Sequence, residues 1–175
     1  MEYNRMSQHY CPRCGQSALT SKDNNCYQCS KCDFEVFRNV AAAVGAVLVY
    51  NQSVLLLKRG KAPSAGEWDL PGGFVNPNES AEQALRREML EETGITLTTP
   101  LRYLGAWPNQ YPYKSLVYPT MDIFFVTELS ELPDFTLDKD EVSAYQWFNK
   151  DACQGLALAF PSAQHALNTW LNSGE

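Results

Sequence analysis

Three glutamates, Glu88, Glu91 and Glu92, have the types and the spacing that a divalent-cation site needs. If this segment is helical, side chains three and four positions apart lie next to each other on one face, so the carboxylates converge. Carboxylate oxygens are the ligands that Mg²⁺ and Mn²⁺ prefer in proteins. A run of charges can equally be a solvated helix face, so the position of these acids on their helix has to decide between the two interpretations.

The segment that carries the glutamates predicts an amphipathic helix. Ser80 suits the N-cap, Gln83 completes the spacing of a capping box, and Gly94 suits the left-handed residue that ends a helix. The apolar face comprises Ala81, Ala84, Leu85 and Met89. The acids continue this core-facing stripe into the last turn, where the helix dipole disfavours each negative charge by about 0.3–1 kcal/mol. A bound dication would offset that cost and the mutual repulsion, which favours the metal-site interpretation.

Cysteines close to the N-terminus predict a second metal site. Two Cys-x2-Cys pairs, separated by fourteen residues, comprise Cys11, Cys14, Cys29 and Cys32. Four thiolates suit a tetrahedral Zn²⁺ and leave no open position for catalysis, so the predicted role is structural. Cys26 forms an overlapping pair with Cys29 and leaves an alternative ligand set open, but Gly15 follows the first pair as a zinc-ribbon turn requires. Five clustered cysteines without an export signal are a poor disulfide framework.

The segment from Gly73 to Ile95 resembles the complete signature of the Nudix hydrolases. The matching positions are Gly73, Glu79, Arg87, Glu88, Met89, Glu91, Glu92, Gly94 and Ile95. The resemblance extends from Val40 to the C-terminus and implies an α/β fold, the Nudix α/β/α sandwich with a mixed sheet. We therefore expect a Nudix hydrolase domain over residues 39–175, preceded by a small four-cysteine zinc ribbon over residues 1–38. A ribbon joined to such a domain also resembles the NADH pyrophosphatase branch of the family.

This resemblance implies an enzyme, a Nudix-type pyrophosphohydrolase that acts on acid anhydrides in phosphorus-containing compounds. The expected reaction hydrolyses the pyrophosphate bond of a nucleoside diphosphate linked to another moiety, giving a nucleoside monophosphate and a phosphorylated product. ADP-ribose or an NADH-like dinucleotide is the expected substrate. NADH pyrophosphatases carry an SQPWPFP-type stretch, whereas residues 106–113 read AWPNQYPY, so the choice of nucleotide stays open.

The resemblance also implies roles for individual residues. The expected ligands of Mg²⁺ (or Mn²⁺) are Glu88, Glu91, Glu92 and the carbonyl of Gly73. Arg87 is expected to orient the neighbouring glutamates while paired with Glu79. The general base is expected to be Glu91 or Glu88, or an acid from the loop at 135–141, where Glu141 and Asp140 are candidates.

Substrate contacts are predicted on both sides of the signature. Arg59 ends a buried strand and Lys61 follows it, and these two residues either contact phosphate or simply keep the surface charged. The proline-rich stretch 106–120 is predicted to be a specificity loop, in which Trp107, Tyr111 and Tyr113 either stack on a base or ribose or pack beneath the loop.

Hydrophobic runs predict the framework that positions these residues. Residues 40–50 and 54–59, separated by a short polar turn, predict a hairpin in a central sheet. Residues 95–103, 121–127 and 144–148 predict further strands. Pro161 is expected at the first position of a helix that ends near Asn172, on which His165 packs or faces solvent.

Composition limits the size and the partners of the protein. With 175 residues, 45% of them hydrophobic, the chain can bury one core plus a small appendage. The net charge of −6 argues against nucleic acid as a partner, and a small nucleotide is expected instead. No apolar run approaches the roughly 18 residues of a membrane span, and no signal-peptide core is present, so we expect no membrane partner and a cytoplasmic protein.

Two other functions compete with nucleotide hydrolysis. Removal of an NAD-type 5′ cap from RNA would use the ribbon to guide RNA, but residues 1–39 carry five basic and four acidic side chains and offer phosphate little attraction. A structural ribbon, with a possible homodimer, is therefore the preferred expectation. A non-catalytic nucleotide-sensing regulator is disfavoured because the signature is intact.

Overall fold

The computed structural model describes residues 10–173, so residues 1–9 of the predicted ribbon lie outside the described part. The chain divides into two compact units between Asn39 and Val40. Each unit has its own sheet.

Tight turns and a three-stranded antiparallel sheet form the N-terminal unit. Its strands, in spatial order, are β1 (Leu19–Ser21), β2 (Cys26–Cys29) and β3 (Glu35–Phe37). The amide of Gly15 donates to the carbonyl of Cys11 at 2.8 Å, and the amide of Asp33 donates to the carbonyl of Cys29 at 3.0 Å. Gly15 has a φ of 70°, a left-handed conformation that glycine adopts without steric cost. Both cysteine pairs therefore lie on compact turns.

A seven-stranded mixed sheet with helices forms the larger unit. Its elements are β4 (Ala41–Tyr50), β5 (Ser53–Arg59), β6 (Trp68–Asp69), β7 (Gly72–Phe74), α1 (Ala81–Thr93), β8 (Arg102–Tyr113), β9 (Leu116–Glu128), β10 (Val142–Asn149), α2 (Lys150–Cys153) and α3 (Pro161–Asn172). The main path runs β10-β5-β4-β9-β8, with β6 paired to β5 and β7 paired to β4. Only the β4–β9 pairing is parallel among the strand pairings described for this sheet.

Two buried clusters lie on opposite faces of this sheet. Alternate residues of β4 contribute to each, since successive side chains of a strand point to opposite faces. Val44, Ala46 and Leu48 pack with the apolar face of α1. Val47 and Val49 pack with α3 through the second cluster. Because both faces are covered, β4 reads as a continuous apolar run, and the predicted α/β/α sandwich with a mixed sheet is confirmed.

The predicted β4–β5 hairpin, α1 and the start of α3 at Pro161 are also confirmed. The prediction of a strand over residues 95–103 is wrong, because β8 begins only at Arg102. Residues Ile95 and Leu97 are buried without strand pairing, which accounts for the apolar pattern that suggested a strand.

The prediction of a loop over residues 106–120 is also wrong. These residues form a β-hairpin in which Tyr113 pairs with Leu116 across a two-residue turn. Pro108 and Pro112, which suggested a loop, lie on the edge strand β8, and Pro119 precedes the start of the β4–β9 pairing at Thr120. A proline has no N–H to donate, so it is tolerated where one side of a strand has no partner.

Candidate active site

The position of α1 is set by its caps and its buried face. Ser80 Oγ accepts a hydrogen bond from the amide of Gln83 at 3.2 Å, and Gln83 Oε1 accepts one from the amide of Ser80 at 2.8 Å. Gly94 ends the helix with a φ of 74°. Leu85 and Met89 are fully buried against the sheet, so the helix cannot rotate without exposing them. The orientation of the acidic residues on α1 follows from this anchoring.

A cavity of about 440 Å³ opens at the end of α1. Glu88, Glu91 and Glu92 all line it, as do Gly73 and Glu141. The side chain of Glu88 is 12% exposed and that of Glu91 is 57% exposed, so the three acids span the cavity from its buried side to its open side. The predicted metal ligands therefore line one cavity, although the carboxylate oxygens of the three glutamates do not all lie within 4.8 Å of one another.

Two glycines of β7 let the backbone approach these carboxylates. A Cβ on Gly73 would lie 2.5 Å from the carboxyl carbon of Glu88, which places the Gly73 backbone directly against that carboxylate. Gly72 has a φ of 146°, and a Cβ there would lie 2.1 Å from the carbonyl oxygen of Val44. The amide of Gly72 donates to Glu92 Oε2 at 3.0 Å. Only glycine fits at these two positions.

Arg87 holds three carboxylates at once. Its Nε donates to Glu79 Oε1 at 2.7 Å, and its Nη1 donates to Glu88 Oε1 at 2.7 Å and to Glu91 Oε2 at 2.9 Å. Its Nη2 donates to the carbonyl of Phe74 at 3.0 Å. Hydrogen bonds from Arg87 lower the pKa of Glu79 to about 2, and the carboxylates raise the pKa of Arg87. With its donors engaged in this way, Arg87 has the geometry of a residue that orients the glutamates.

Burial raises the pKa of two acids of α1, Glu92 and Glu88. It raises the pKa of Glu92 to about 8, although the hydrogen bond from the Gly72 amide opposes the rise. It also raises the pKa of Glu88, against the opposing effect of Arg87. Crowded, partly dehydrated carboxylates together with a backbone carbonyl form a hard-oxygen donor set. The residues present therefore fit Mg²⁺ or Mn²⁺, whose charge would offset the repulsion.

Glu141 also lines the cavity and forms an ion pair with Lys61. The carboxylate of Glu141 raises the pKa of Lys61. Asp138, which the sequence did not single out, also lines the cavity. Among the residues described as lining it, Asp140 is absent, which leaves Glu141 as the predicted acid that this loop brings to the cavity.

Arg59 enters the cavity beside a buried carboxyl group. Its Nη1 donates to Asp69 Oδ2 at 3.3 Å, its Nε donates to the carbonyl of Pro63 at 2.8 Å, and its guanidinium lies 5.0 Å from the centre of the Phe160 ring. Burial raises the pKa of Asp69 to about 7, and the charge of Arg59 opposes the rise. The sequence did not predict a role for Asp69, because a single acid beside a tryptophan in a two-residue strand matches no known motif or periodicity.

Of the three aromatic residues predicted to bind substrate, the structure brings only Tyr111 to the cavity. Tyr111 packs edge-on against Phe74, with centroids 5.1 Å apart, and at 5.5 Å from Phe160. Trp107 packs instead on Phe124 and stacks on His165. Tyr113 is 47% exposed at the end of β8 and is not among the described lining residues. The three share one face of β8 but differ in their distance along it, which the loop interpretation could not anticipate.

The four predicted cysteine ligands form a cluster in the N-terminal unit. The Sγ atoms of Cys11, Cys14, Cys29 and Cys32 lie within 4.8 Å of one another. Cys26 lies outside this cluster, and its Sγ is 3.9 Å from the carbonyl of Tyr27. The donor set fits a tetrahedral Zn²⁺, and the geometry favours the first ligand set over the alternative with Cys26.

The family model for the NUDIX domain matches residues 40–170, a range that includes α1 and the whole cavity. The chain belongs to the NUDIX family. A relative from Haemophilus influenzae (strain PittGG), named "NAD-capped RNA hydrolase NudC", is 30% identical over 144 residues, which are 81% of this chain and 52% of the relative. This chain therefore spans about half the length of the curated NUDIX relatives that it matches.

Solved NUDIX structures have the same fold. The NUDIX domain of Shewanella oneidensis NrtR, complexed with ADP ribose, matches with a TM-score of 0.63 and 25% identity over 77% of this chain and 88% of that one. A NUDIX hydrolase from Nitrosomonas europaea matches with a TM-score of 0.68 and 25% identity over 93% of this chain and 89% of that one. Within residues 10–173, no helix is long and apolar enough to cross a membrane.

Proposed function

We propose that this NUDIX protein is a Mg²⁺-dependent (or Mn²⁺-dependent) pyrophosphohydrolase. It cleaves a nucleoside diphosphate linked to another moiety into a nucleoside monophosphate and a phosphorylated product. The observation that carries the proposal is that Glu88, Glu91, Glu92 and Gly73 all line one cavity. Relatives and solved structures that carry the name hydrolase support the same class of activity.

Different cavity residues have different roles in this reaction. Glu88, Glu91, Glu92 and the carbonyl of Gly73 would hold the metal, which when bound neutralises pyrophosphate charge and lowers the pKa of a water molecule. Arg87 keeps the carboxylates in position. Glu91 is the most accessible candidate for the general base, with Glu88 and Glu141 as the other candidates. Arg59 and Lys61 supply positive charge for the phosphates, and each is held by a carboxylate until substrate competes for it.

ADP-ribose or an NADH-like dinucleotide is the substrate that we propose. The complex of the NrtR NUDIX domain with ADP ribose supports the first choice. Tyr111 and Phe160 give the cavity an aromatic wall on which a base can stack, an interaction that contributes about 1–3 kcal/mol per base.

Removal of an NAD-type cap from RNA is the second candidate. The relatives named NAD-capped RNA hydrolase favour it, and those names do not support the expectation that nucleic acid is not a partner. The net charge of −6 argues for a small nucleotide. A non-catalytic sensor is less consistent with a complete set of acids in the cavity.

A substrate panel tests these functions. The panel comprises ADP-ribose, NADH, FAD, ADP-sugars, diadenosine polyphosphates, nucleoside triphosphates and a short NAD-capped RNA, with kcat/KM measured at fixed Mg²⁺. Preference for a free nucleotide supports the proposal. Preference for the capped RNA, with activity that falls steeply as salt rises, supports the second candidate. Binding of a nucleotide without release of phosphorylated product would support a sensor.

The four-cysteine unit completes the proposal. We expect one structural Zn²⁺ in the cluster of Cys11, Cys14, Cys29 and Cys32, where binding energy contributes directly to the folding of so small a unit. A homodimer and a cytoplasmic location remain predictions.

A further inference from the structure

A second group of polar side chains lines the cavity on the side of β8, β9 and α3. It consists of Asn109, Thr120, Asp122 and Ser162. Asp122 and Thr120 lie on the same face of β9 as Phe124 and Val126, which belong to the apolar cluster beneath α3. The face that is apolar beneath the helix therefore becomes polar where it reaches the cavity.

Asp122 is held in one orientation by two donors. Its Oδ2 accepts from Ser162 Oγ at 2.6 Å and from Asn109 Nδ2 at 2.8 Å. Ser162 lies in the first turn of α3, where the helix dipole favours a nearby negative charge. The other oxygen, Oδ1, is buried and has no hydrogen-bond partner among the described residues, although it belongs to a residue that lines the cavity.

Thr120, two residues before Asp122 on β9, carries a second buried oxygen of this kind. It is 2% exposed, and its Oγ1 is buried without a partner in the part of the chain that the structure describes. Buried polar atoms in folded proteins nearly always have a partner, so two unsatisfied oxygens beside one cavity indicate that something else supplies the hydrogen bonds. Both residues line the cavity, so a ligand bound there can supply the hydrogen bonds once the side chains that cover these two oxygens shift.

We propose that Asp122, assisted by Thr120, accepts a hydrogen bond from an amino group on a base of the substrate and makes the enzyme select for that group. Tyr111 and Phe160 line the same cavity and can hold a planar ring. The group recognised is an NH₂ attached to a planar ring system, for which a substrate offers two sources, the exocyclic amine of adenine and the carboxamide of nicotinamide. This inference rests on the proposed function, since it concerns the substrate of the same cavity.

Matched substrate pairs test the selection. In one pair, ADP-ribose is compared with IDP-ribose, in which an oxo group replaces the amine. In the other, NADH is compared with its nicotinic acid counterpart, in which a carboxylate replaces the amide. A site that accepts a hydrogen bond from the amine should prefer the amino member of one pair by about tenfold or more in kcat/KM, because the analogue leaves the buried oxygen unpaired. The pair that shows the preference identifies the source.

Asp122→Asn is the decisive variant. Its amide oxygen can keep the hydrogen bonds from Ser162 and Asn109, which places NH₂ where Oδ1 stood and turns an acceptor into a donor. We expect the variant to lose or reverse the preference while retaining activity on the oxo member. Thr120→Val, which removes the hydroxyl at nearly constant shape, should weaken the preference in the same direction. Asp134→Asn, on an exposed loop, is the matched control and should leave both members unchanged.

Several results would overturn the inference. They are equal kcat/KM for the members of both pairs in the wild type, or an equal loss for both members in Asp122→Asn with an unchanged melting temperature. Calorimetric binding of ADP-ribose and IDP-ribose gives an independent readout. If no substrate is hydrolysed but the binding preference and its reversal are present, the proposed function fails and the recognition by Asp122 stands. If hydrolysis is present without any preference, the proposed function stands and this inference fails.

Discussion

Glu92→Gln should make the metal-free protein more stable and the enzyme inactive. Glu92 is the acid of α1 whose burial raises its pKa to about 8, from an ordinary value of 4.5. Glutamine has the same shape and keeps a carbonyl oxygen that can accept the hydrogen bond from the Gly72 amide. The substitution therefore removes a charge and leaves the packing in place.

The size and sign of the effect follow from the difference between the folded and unfolded pKa values. Below about pH 4.5 the side chain is protonated in both states, so wild type and variant should differ little. As pH rises, the unfolded state loses its proton first, and the stability of the wild type falls until the folded state also ionises near pH 8. The full difference corresponds to at most about 5 kcal/mol, and because Glu92 is partly exposed we expect a gain of about 2–3 kcal/mol at pH 8.5.

Urea unfolding followed by tryptophan fluorescence measures this gain. The chain has four tryptophans, all within residues 40–175, so the signal reports on the NUDIX unit alone: Trp68, Trp107, Trp147 and Trp170. Unfolding curves are recorded from pH 4.5 to pH 8.5 in buffer without Mg²⁺. They are then repeated with Mg²⁺, which should stabilise the wild type by mass action and leave the variant nearly unchanged.

Glu131→Gln, on an exposed loop, is the matched control and should change stability by less than about 0.5 kcal/mol at every pH. Destabilisation of the metal-free protein by Glu92→Gln at pH 8.5 would refute this reasoning. That outcome would mean that Glu92 acts as an ion-paired structural residue and not as one of a set of metal ligands.

Three further predictions concern the surroundings of the site. Arg87→Lys should raise the Mg²⁺ concentration for half-maximal activity by about 10–100-fold, because one ammonium cannot replace the hydrogen bonds to three glutamates; an unchanged Mg²⁺ titration would contradict this. Gly72→Ala should destabilise the NUDIX unit by about 2 kcal/mol or more in urea unfolding, since its Cβ would lie 2.1 Å from a backbone oxygen. Cys32→Ser should lose bound zinc by atomic absorption whereas Cys26→Ser should retain it, and the reverse result would establish the alternative ligand set, in which Cys26 replaces Cys32.

Local signals account for the parts of the fold that the sequence predicted well. The capping box at Ser80 and Gln83, the left-handed Gly94 and the apolar stripe of α1 agree with one another, and the structure has all of them. When helix start, helix end and buried face point to the same element, little tertiary information is needed. The spacing of the cysteine pairs is similarly local, because each pair lies on its own tight turn.

The parts that were missed depend on contacts between distant segments. The hairpin of β8 and β9 was hidden by Pro108, Pro112 and Pro119, whose tolerance depends on the partners that each strand has in the sheet. Asp122 was not predicted, because a single acid in an apolar strand matches no sequence motif. Its role depends on hydrogen bonds from Ser162 and Asn109, which belong to other elements. Trp107, Tyr111 and Tyr113 are aromatic residues of the same proline-rich stretch, and only their positions along β8 determine which of them lines the cavity.

Product analysis with ADP-ribose tests the central claim most directly. Purified protein is incubated with ADP-ribose at increasing Mg²⁺, with Glu88→Gln and Glu131→Gln in parallel, and the products are separated by chromatography and identified by mass. We predict equal amounts of AMP and ribose 5-phosphate from the wild type and from Glu131→Gln, only when Mg²⁺ is present, and almost none from Glu88→Gln. Full activity of Glu88→Gln, or product formation that does not depend on a divalent cation, would contradict the proposed role of these glutamates.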